Sequence, residues 1–481
     1  MRRVAVCLLL ILLAGCGRYR YEDIIASRAD TVRIGPLAVE EAPGRASPLT
    51  AARKISLAEA IRVALENNPE NHMALARVMQ AEAAIQQANA AFYPALGFYT
   101  EYTHADAPSV YLFKKIDQRE LPPDANFNDP GELDNFESGV TGRLNLFNGG
   151  RDYLNRRMAR TGLTISQLDR ESVENGLIAS VIGAYYDVLA AGEFIRISRE
   201  SVATVQKELE MMRVRLRGGS ALKSDVLSLE ARLAQSQEEL VQSRNRYQTA
   251  LTALATLLGI DPNAKLVPEQ PDGLPAASLP QAYDRGIDYA LARRPDLKQV
   301  RANVEKAAMA VDAARSGYLP RVDVQAKYYL DDESMDYDTD RENWMTAVIL
   351  NWDLFTGFST RAAVDMASAR LAETLAADRN ARLSARMDVK TAYQNLEAAG
   401  ARLEAARQSA ASAEESLGLV LKQFEGGSAT ITRYLQAELD RNRARIRATA
   451  AYYDRQKALA EIGRAVGYWA QAKGIEPEGS R

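Results

Sequence analysis

The chain is written twice, and this duplication restricts it to folds with two matched halves. Asn68-Pro69-Glu70 is answered by Arg294-Pro295-Asp296, and Phe92-Tyr93-Pro94 by Tyr318-Leu319-Pro320, both 226 residues apart. Later pairs stand 208 apart: Leu146-Phe147-Asn148-Gly149 with Leu354-Phe355-Thr356-Gly357, Ala184-Tyr185 with Ala392-Tyr393, and Gly218-Gly219-Ser220-Ala221 with Gly426-Gly427-Ser428-Ala429. The offset changes once, between Pro320 and Phe355, so the first copy carries 18 extra residues there.

Proline placement then predicts the architecture. No proline occurs from Gly131 to Asp261 or from Arg321 to Glu476, and proline breaks helix interiors. Residues 150–217 and 359–425 read as nearly unbroken helix, with apolar residues at steps of three and four, such as Val181, Tyr185 and Val188. At 1.5 Å per residue each would reach about 100 Å. Each meets Gly-Gly-Ser and restarts as a shorter helix, 221–257 or 429–466. Glycine is expected to end the first helix and serine to begin the second. A further helix precedes each strand region, at about 56–90 and 281–316.

Between the helices lie four segments of period two, about 95–104, 137–147, 321–330 and 343–354. Residues 321–330 alternate Arg321, Asp323, Gln325, Lys327 with Val322, Val324, Ala326, Tyr328, and Trp344, Val348, Leu350, Trp352 and Leu354 share a face of the last segment. Alternation over about ten residues marks membrane-barrel strands, weakly for each one alone. Four strands cannot enclose a lumen, so several chains must contribute.

Met1-Arg2-Arg3, an apolar run from Val4 to Leu13, and Leu13-Ala14-Gly15-Cys16 read as a secretory signal of residues 1–15. The cysteine after Leu-Ala-Gly resembles a lipobox, making Cys16 the expected lipidation site, and Gly17 after it fits sorting to the outer membrane. Residues 16–54 read as an extended lipidated segment, 55–261 as the first repeat, 262–280 as a proline-rich linker, 281–470 as the second repeat and 471–481 as a tail. Without the signal the charge is 58 basic against 63 acidic residues, which argues against nucleic acid as a partner. After the signal no stretch of about 18 apolar residues is expected, hence no transmembrane helix.

Two tandem repeats of long helix, strand hairpin and long helix resemble the outer-membrane efflux protein family of TolC-like channels, and the lipobox places the chain nearer the lipidated, OprM-like branch. The resemblance rests on Ser56-Leu57-Ala58-Glu59-Ala60-Ile61 through Asn68-Pro69, Ala91-Phe92-Tyr93-Pro94, Asn145-Leu146-Phe147-Asn148-Gly149-Gly150, and Arg217-Gly218-Gly219-Ser220 to Asp225-Val226-Leu227 with its partner Phe424 to Leu435-Gln436-Ala437. It covers roughly residues 55–470. It implies a mainly α chain forming a homotrimer, with a twelve-stranded transmembrane β-barrel on a long periplasmic α-helical barrel. The implied function is a passive exit duct for drugs or metal ions, fed by an inner-membrane transporter through a periplasmic adaptor protein. The duct of an ATP-driven type I protein exporter is an alternative, and a periplasmic coiled-coil scaffold without a pore is a second.

The resemblance further implies adaptor docking at the hairpin tips, Gly218, Gly219, Ser220, Gly426, Gly427 and Ser428, and a periplasmic aperture one turn beyond them. Asp225 occupies that place in the first repeat. In the second, Arg433 stands where the family often has Asp, and Gln436 replaces another frequent acid, so the aperture is either an acidic ring or charge-paired. No enzyme site, cofactor or metal site is expected. His72 and His104 lack zinc-like spacing, the Gly-Gly pairs lack the Lys-Ser/Thr of a phosphate loop, and the acidic stretch Asp331 to Asp340 reads as a solvated extracellular loop in preference to a calcium site.

Overall fold

The computed structural model describes residues 53–271, 279–334 and 339–470. The lipobox, the start of the leader and the C-terminal tail lie outside the described residues, as does part of the acidic stretch. Each half is dominated by a 67-residue helix, α4 (Arg151–Arg217) in the first and α8 (Ser359–Glu425) in the second. Each turns back through a tip into a shorter helix, α5 (Lys223–Leu257) and α9 (Ile431–Val466).

The helix expected over 56–90 is two, α1 (Leu57–Asn67) and α2 (Pro69–Asn89). Its counterpart is likewise α6 (Tyr283–Arg293) and α7 (Pro295–Arg315). Proline forces the residue before it out of the helical region, and Asn68 (ψ 127°) and Arg294 (ψ 125°) comply. Both residues then serve the same purpose by different chemistry. Asn68 Nδ2 donates to the carbonyl of Leu257 at 2.9 Å, and Arg294 Nη1 to that of Ala465 at 3.1 Å. Each thus satisfies an orphan carbonyl at the end of its returning helix.

The linker is not wholly irregular. β1 (Arg53–Ile55) pairs in parallel with β4 (Leu266–Pro268), and Tyr185, deep in α4, donates to the carbonyls of Ile55 at 2.8 Å and Glu269 at 2.6 Å. Tyr393, its counterpart 208 residues on, donates to the carbonyl of Pro280. Around Tyr185 the core gathers Ile61, Ile178, Ile182, Leu254, Leu258 and Trp469. This resolves an apparent conflict with the sequence reading: one stretch of α4 is long and apolar enough to cross a membrane. Half of that stretch is buried against α1, α5 and α9, as in a core helix.

The strands β2 (Ala95–Ala105), β3 (Leu133–Asn148), β5 (Arg321–Asp332) and β6 (Glu342–Asn351) form one antiparallel sheet in the order β2-β3-β5-β6. Boundaries differ from the expected ones by up to four residues, at Leu133. A bulge between Asn145 and Phe147 sets Phe147 opposite Val322, so Phe147 and not Leu146 continues the apolar face. β6 ends at Asn351, leaving Trp352 and Leu354 in the following turn. The 27 residues between β2 and β3, against nine between β5 and β6, account for the 18-residue offset. They carry α3 (Pro108–Asp117).

Candidate functional site at the helical tips and the strand ends

Leu96, Phe98, Val140, Trp344, Val348 and Leu350 are 46–77% exposed on one face of the sheet. The opposite face carries Asn135, Glu137, Arg143, Asp323, Gln325, Lys327 and Asp331, by strand alternation and register. A one-sided sheet of this kind separates lipid from a polar lumen. Its outer strands, β2 and β6, have no partner on their outer edges among the described residues. In hydrocarbon such an edge is too costly to leave open.

At the other end of the molecule, each tip closes by the same bonds. Gly219 (φ 74°) and Gly427 (φ 78°) turn left-handed, which glycine does without steric cost. Ser220 and Ser428 do not begin the next helices as expected. Their hydroxyls donate back to the carbonyls of Arg215 and Gln423, both at 3.1 Å, and finish the preceding ones. The restart falls to Leu222 and to Thr430, whose Oγ1 accepts from Arg433 N at 3.3 Å. All six tip residues Gly218–Ser220 and Gly426–Ser428 are exposed.

Asp225 accepts from the backbone N–H of Leu222 at 3.4 Å, which is the work of a first-turn acid. The Arg433 side chain is exposed, and among the described residues no ion pair joins it to Asp225 within one chain. Gln436, also exposed, donates to both carboxylate oxygens of Asp440 at 3.0 Å. The two tips share a core of Leu209, Met212, Val226, Leu229, Val420 and Phe424, with Phe424 stacked on Tyr434 at 5.3 Å. Burial, with Glu208 and Glu438 nearby, holds the Tyr434 phenol above its usual range.

Just above this core lies a buried polar network that the sequence reading missed. Glu438 is fully buried and receives Arg232 Nη2 at 2.7 Å and Nε at 3.0 Å. Ser201 donates to its other oxygen at 2.8 Å, and Asn442 donates to Ser201 Oγ at 2.8 Å. The network joins α4 and α5 of the first hairpin to α9 of the second. A signal was available: Arg232 follows Val226 and Leu229, and Glu438 follows Ile431 and Tyr434, each on the buried stripe of its helix. Charge on that stripe demands a partner.

The far end of the sheet holds a second cluster. Lys114 of α3 donates to Asp331 at 2.9 Å and to Glu137, and Lys327 pairs with Glu137 at 2.5 Å. Burial works against the charge of Lys114, and the bonds to Asp331 and Glu137 more than restore it, so its ammonium titrates above the usual lysine range. The acidic stretch is therefore not simply a solvated loop. Asp331 and Asp332 are fully buried, and Asp332 pairs with Arg341 at 2.8 Å. The histidines hydrogen-bond locally, His72 to the carbonyl of Glu66 at 2.8 Å and His104 to Asp134 at 3.0 Å.

The profile of the outer membrane efflux protein family matches residues 60–260 and 286–468, both repeats and most of the chain. The chain belongs to this family. As an outer membrane efflux protein it is similar to the pyoverdine export outer membrane protein OpmQ of Pseudomonas aeruginosa, 28% identical over 382 residues, which cover 78% of this chain and 77% of that protein. It is also similar to the alkaline protease secretion protein AprF of the same species, 25% identical over 66% of this chain and 64% of that one. The solved Campylobacter jejuni CmeC outer membrane channel superposes with a TM-score of 0.75 at 16% identity, covering 86% of this chain and 85% of that one. The outer membrane efflux protein thus has the TolC-like channel fold, mostly helical with few strands, and is an outer-membrane protein whose helices extend into the periplasm.

Proposed function

We propose that three copies of this chain close a twelve-stranded barrel and a continuous helical tube. Through that tube pass small molecules, handed over by an inner-membrane pump and a periplasmic adaptor docked at the Gly218–Ser220 and Gly426–Ser428 tips. The observation that carries this reading is the four-stranded sheet with an apolar face and two unpartnered edges. β6 runs opposite to β2, so β6 of one copy can pair antiparallel with β2 of the next and leave no edge in lipid. Cys16 anchors each copy to the outer membrane by its acyl chains, with the barrel as the main membrane contact. OpmQ, a pyoverdine exporter by name, supports small-molecule cargo. AprF supports the second reading, the duct of a protein exporter. The pore-free scaffold leaves the apolar strand face without a purpose.

The aperture belongs to Asp225, Arg433 and Gln436. Arg433 has no acidic partner of its own chain among the described residues, and Asp225 of a neighbouring copy is the partner its charge fits. An exposed pair stabilises by about 0.2–1 kcal/mol, repeated three times around the axis. The protein purified in mild detergent should run as a heat-sensitive trimer with an acylated Cys16 by mass spectrometry. In planar bilayers Arg433→Glu should raise resting conductance, and adding Asp225→Arg should partly restore closure. A monomer by light scattering sinks the shared barrel. Unchanged conductance in both variants returns the two charges to ordinary surface roles. Loss of a secreted protein on gene deletion, with resistance to small toxic molecules intact, would move the cargo to the exporter reading.

A further inference from the structure

The first repeat's insert, residues 106–132, has no counterpart in the second repeat, and the side on which it folds is decided by strand parity. Leu96, Phe98, Val140 and Trp344 face lipid, so Asn135, Glu137 and Asp331 face the lumen. α3 sits on these lumen residues. Gln118 Nε2 donates to Asn135 Oδ1 at 2.8 Å, Asn135 Nδ2 to Asp331 at 2.8 Å, and Lys115 pairs with Glu333 at 2.7 Å, beside the Lys114 bonds already described. Lys114, Lys115 and Gln118 lie on one side of the helix. Phe113 and Ile116 lie on the other, 66% and 43% exposed, covered by nothing in their own chain. The insert hangs from the ends of β2 and β3 remote from the helices, and is therefore at the extracellular mouth.

We propose that this insert is an extracellular lid: α3 bends inward over the lumen face, and its Phe113–Ile116 ridge meets the same ridge of the two neighbouring copies across the threefold axis. The proposal rests on the trimeric-barrel reading. The dimensions agree with it. Strands about 4.8 Å apart and tilted by about 40° give twelve strands a backbone radius of roughly 12 Å. Three helices about 10 Å across, touching around an axis, need roughly 11 Å. The apolar ridges would otherwise stand in water at the mouth of a polar channel, and mutual burial removes them from it. The Lys114, Lys115 and Gln118 anchors hold each helix by its polar side and leave the ridge to make the seal.

The lid is tested on intact cells carrying the full-length chain with Gln325→Cys, a lumen position two residues from Lys327. Labelling is compared for a small charged methanethiosulfonate and a bulky polyethylene-glycol maleimide, with the chain lacking Gln325→Cys as background. The small reagent should label Cys-bearing channels whether or not the lid is intact. The bulky one should label only at background in the intact channel, and fully after residues 107–131 are replaced by a short turn. It should also label fully in Phe113→Asp/Ile116→Asp, which keeps the polar anchors and guards against misfolding of the excised form. Equal bulky labelling with and without the lid overturns the lid while the small reagent upholds the lumen. Exclusion of the bulky reagent even after excision places the barrier elsewhere and also overturns it. Failure of the small reagent in every form removes the lumen itself, and the trimeric-barrel reading with it.

Discussion

Replacing Glu438 with alanine is expected to destabilise the periplasmic domain by about 3–5 kcal/mol, because it strands the buried charge of Arg232. Arg232 is 6% exposed and spends two donors on Glu438. Its remaining ion pair, to Glu239, is longer at 3.3 Å. Ser201 and Asn442 lose an acceptor in the same change. The double variant Arg232→Met/Glu438→Leu should recover most of the loss, since well-packed apolar replacements of buried ion pairs are often neutral or stabilising. The comparison is made on the helical thermal transition at matched scan rates, because unfolding of a large membrane assembly is governed by its rate. A single variant as stable as wild type would mean that water reaches Arg232 and that the network does not bind the two hairpins. If the double variant also conducts more at rest, the network restrains the tips as well as stabilising them.

Trp469→Ala should cost about as much, roughly 3–5 kcal/mol for a large aromatic removed from a core. Trp469 is fully buried, and its Nε1 donates to the carbonyl of Ala460 at 2.9 Å. The chain reaches it by reversing at Gly467 (φ 76°), which folds the ring back onto α9. There it lies over Gly463, where an added Cβ would sit 2.4 Å from the indole. Two consequences follow from this one contact. Trp469→Phe, which keeps apolar bulk but loses the hydrogen bond, should cost less than Trp469→Ala. Gly463→Leu should destabilise by about 1–3 kcal/mol through overpacking. A Trp469→Ala protein melting with wild type would show that the segment after α9 is dispensable to the equatorial core.

Several features were legible in the residues because they depend on local backbone chemistry. The long helices end where Gly218 and Gly426 stand, and the absence of proline over more than a hundred residues left little else for those stretches to be. Pro69 and Pro295 broke helices that apolar periodicity had run together. The serines of the tips illustrate the limit of local rules. A serine can cap the helix after it or close the one before it, and only the left-handed turn at the preceding glycine decides between these roles.

By itself, the sequence determined the duplication, the element types, the single difference in loop length and, through them, the family. These follow from proline, glycine and the spacing of apolar side chains, which act over a few residues whatever the rest of the chain does. Only the tertiary structure decided which polar groups meet. Arg232 and Glu438 stand 206 residues apart, and Lys114 and Asp331 stand 217 apart, so their attraction has no trace in local pattern. It exists because packed helices and paired strands remove both partners from water in one place. The direction of the insert was likewise invisible in its own residues. It is set by the parity of β2, β3 and β5, since a shift of one residue would turn Glu137 and Asp331 toward lipid and leave Lys114 nothing to hold.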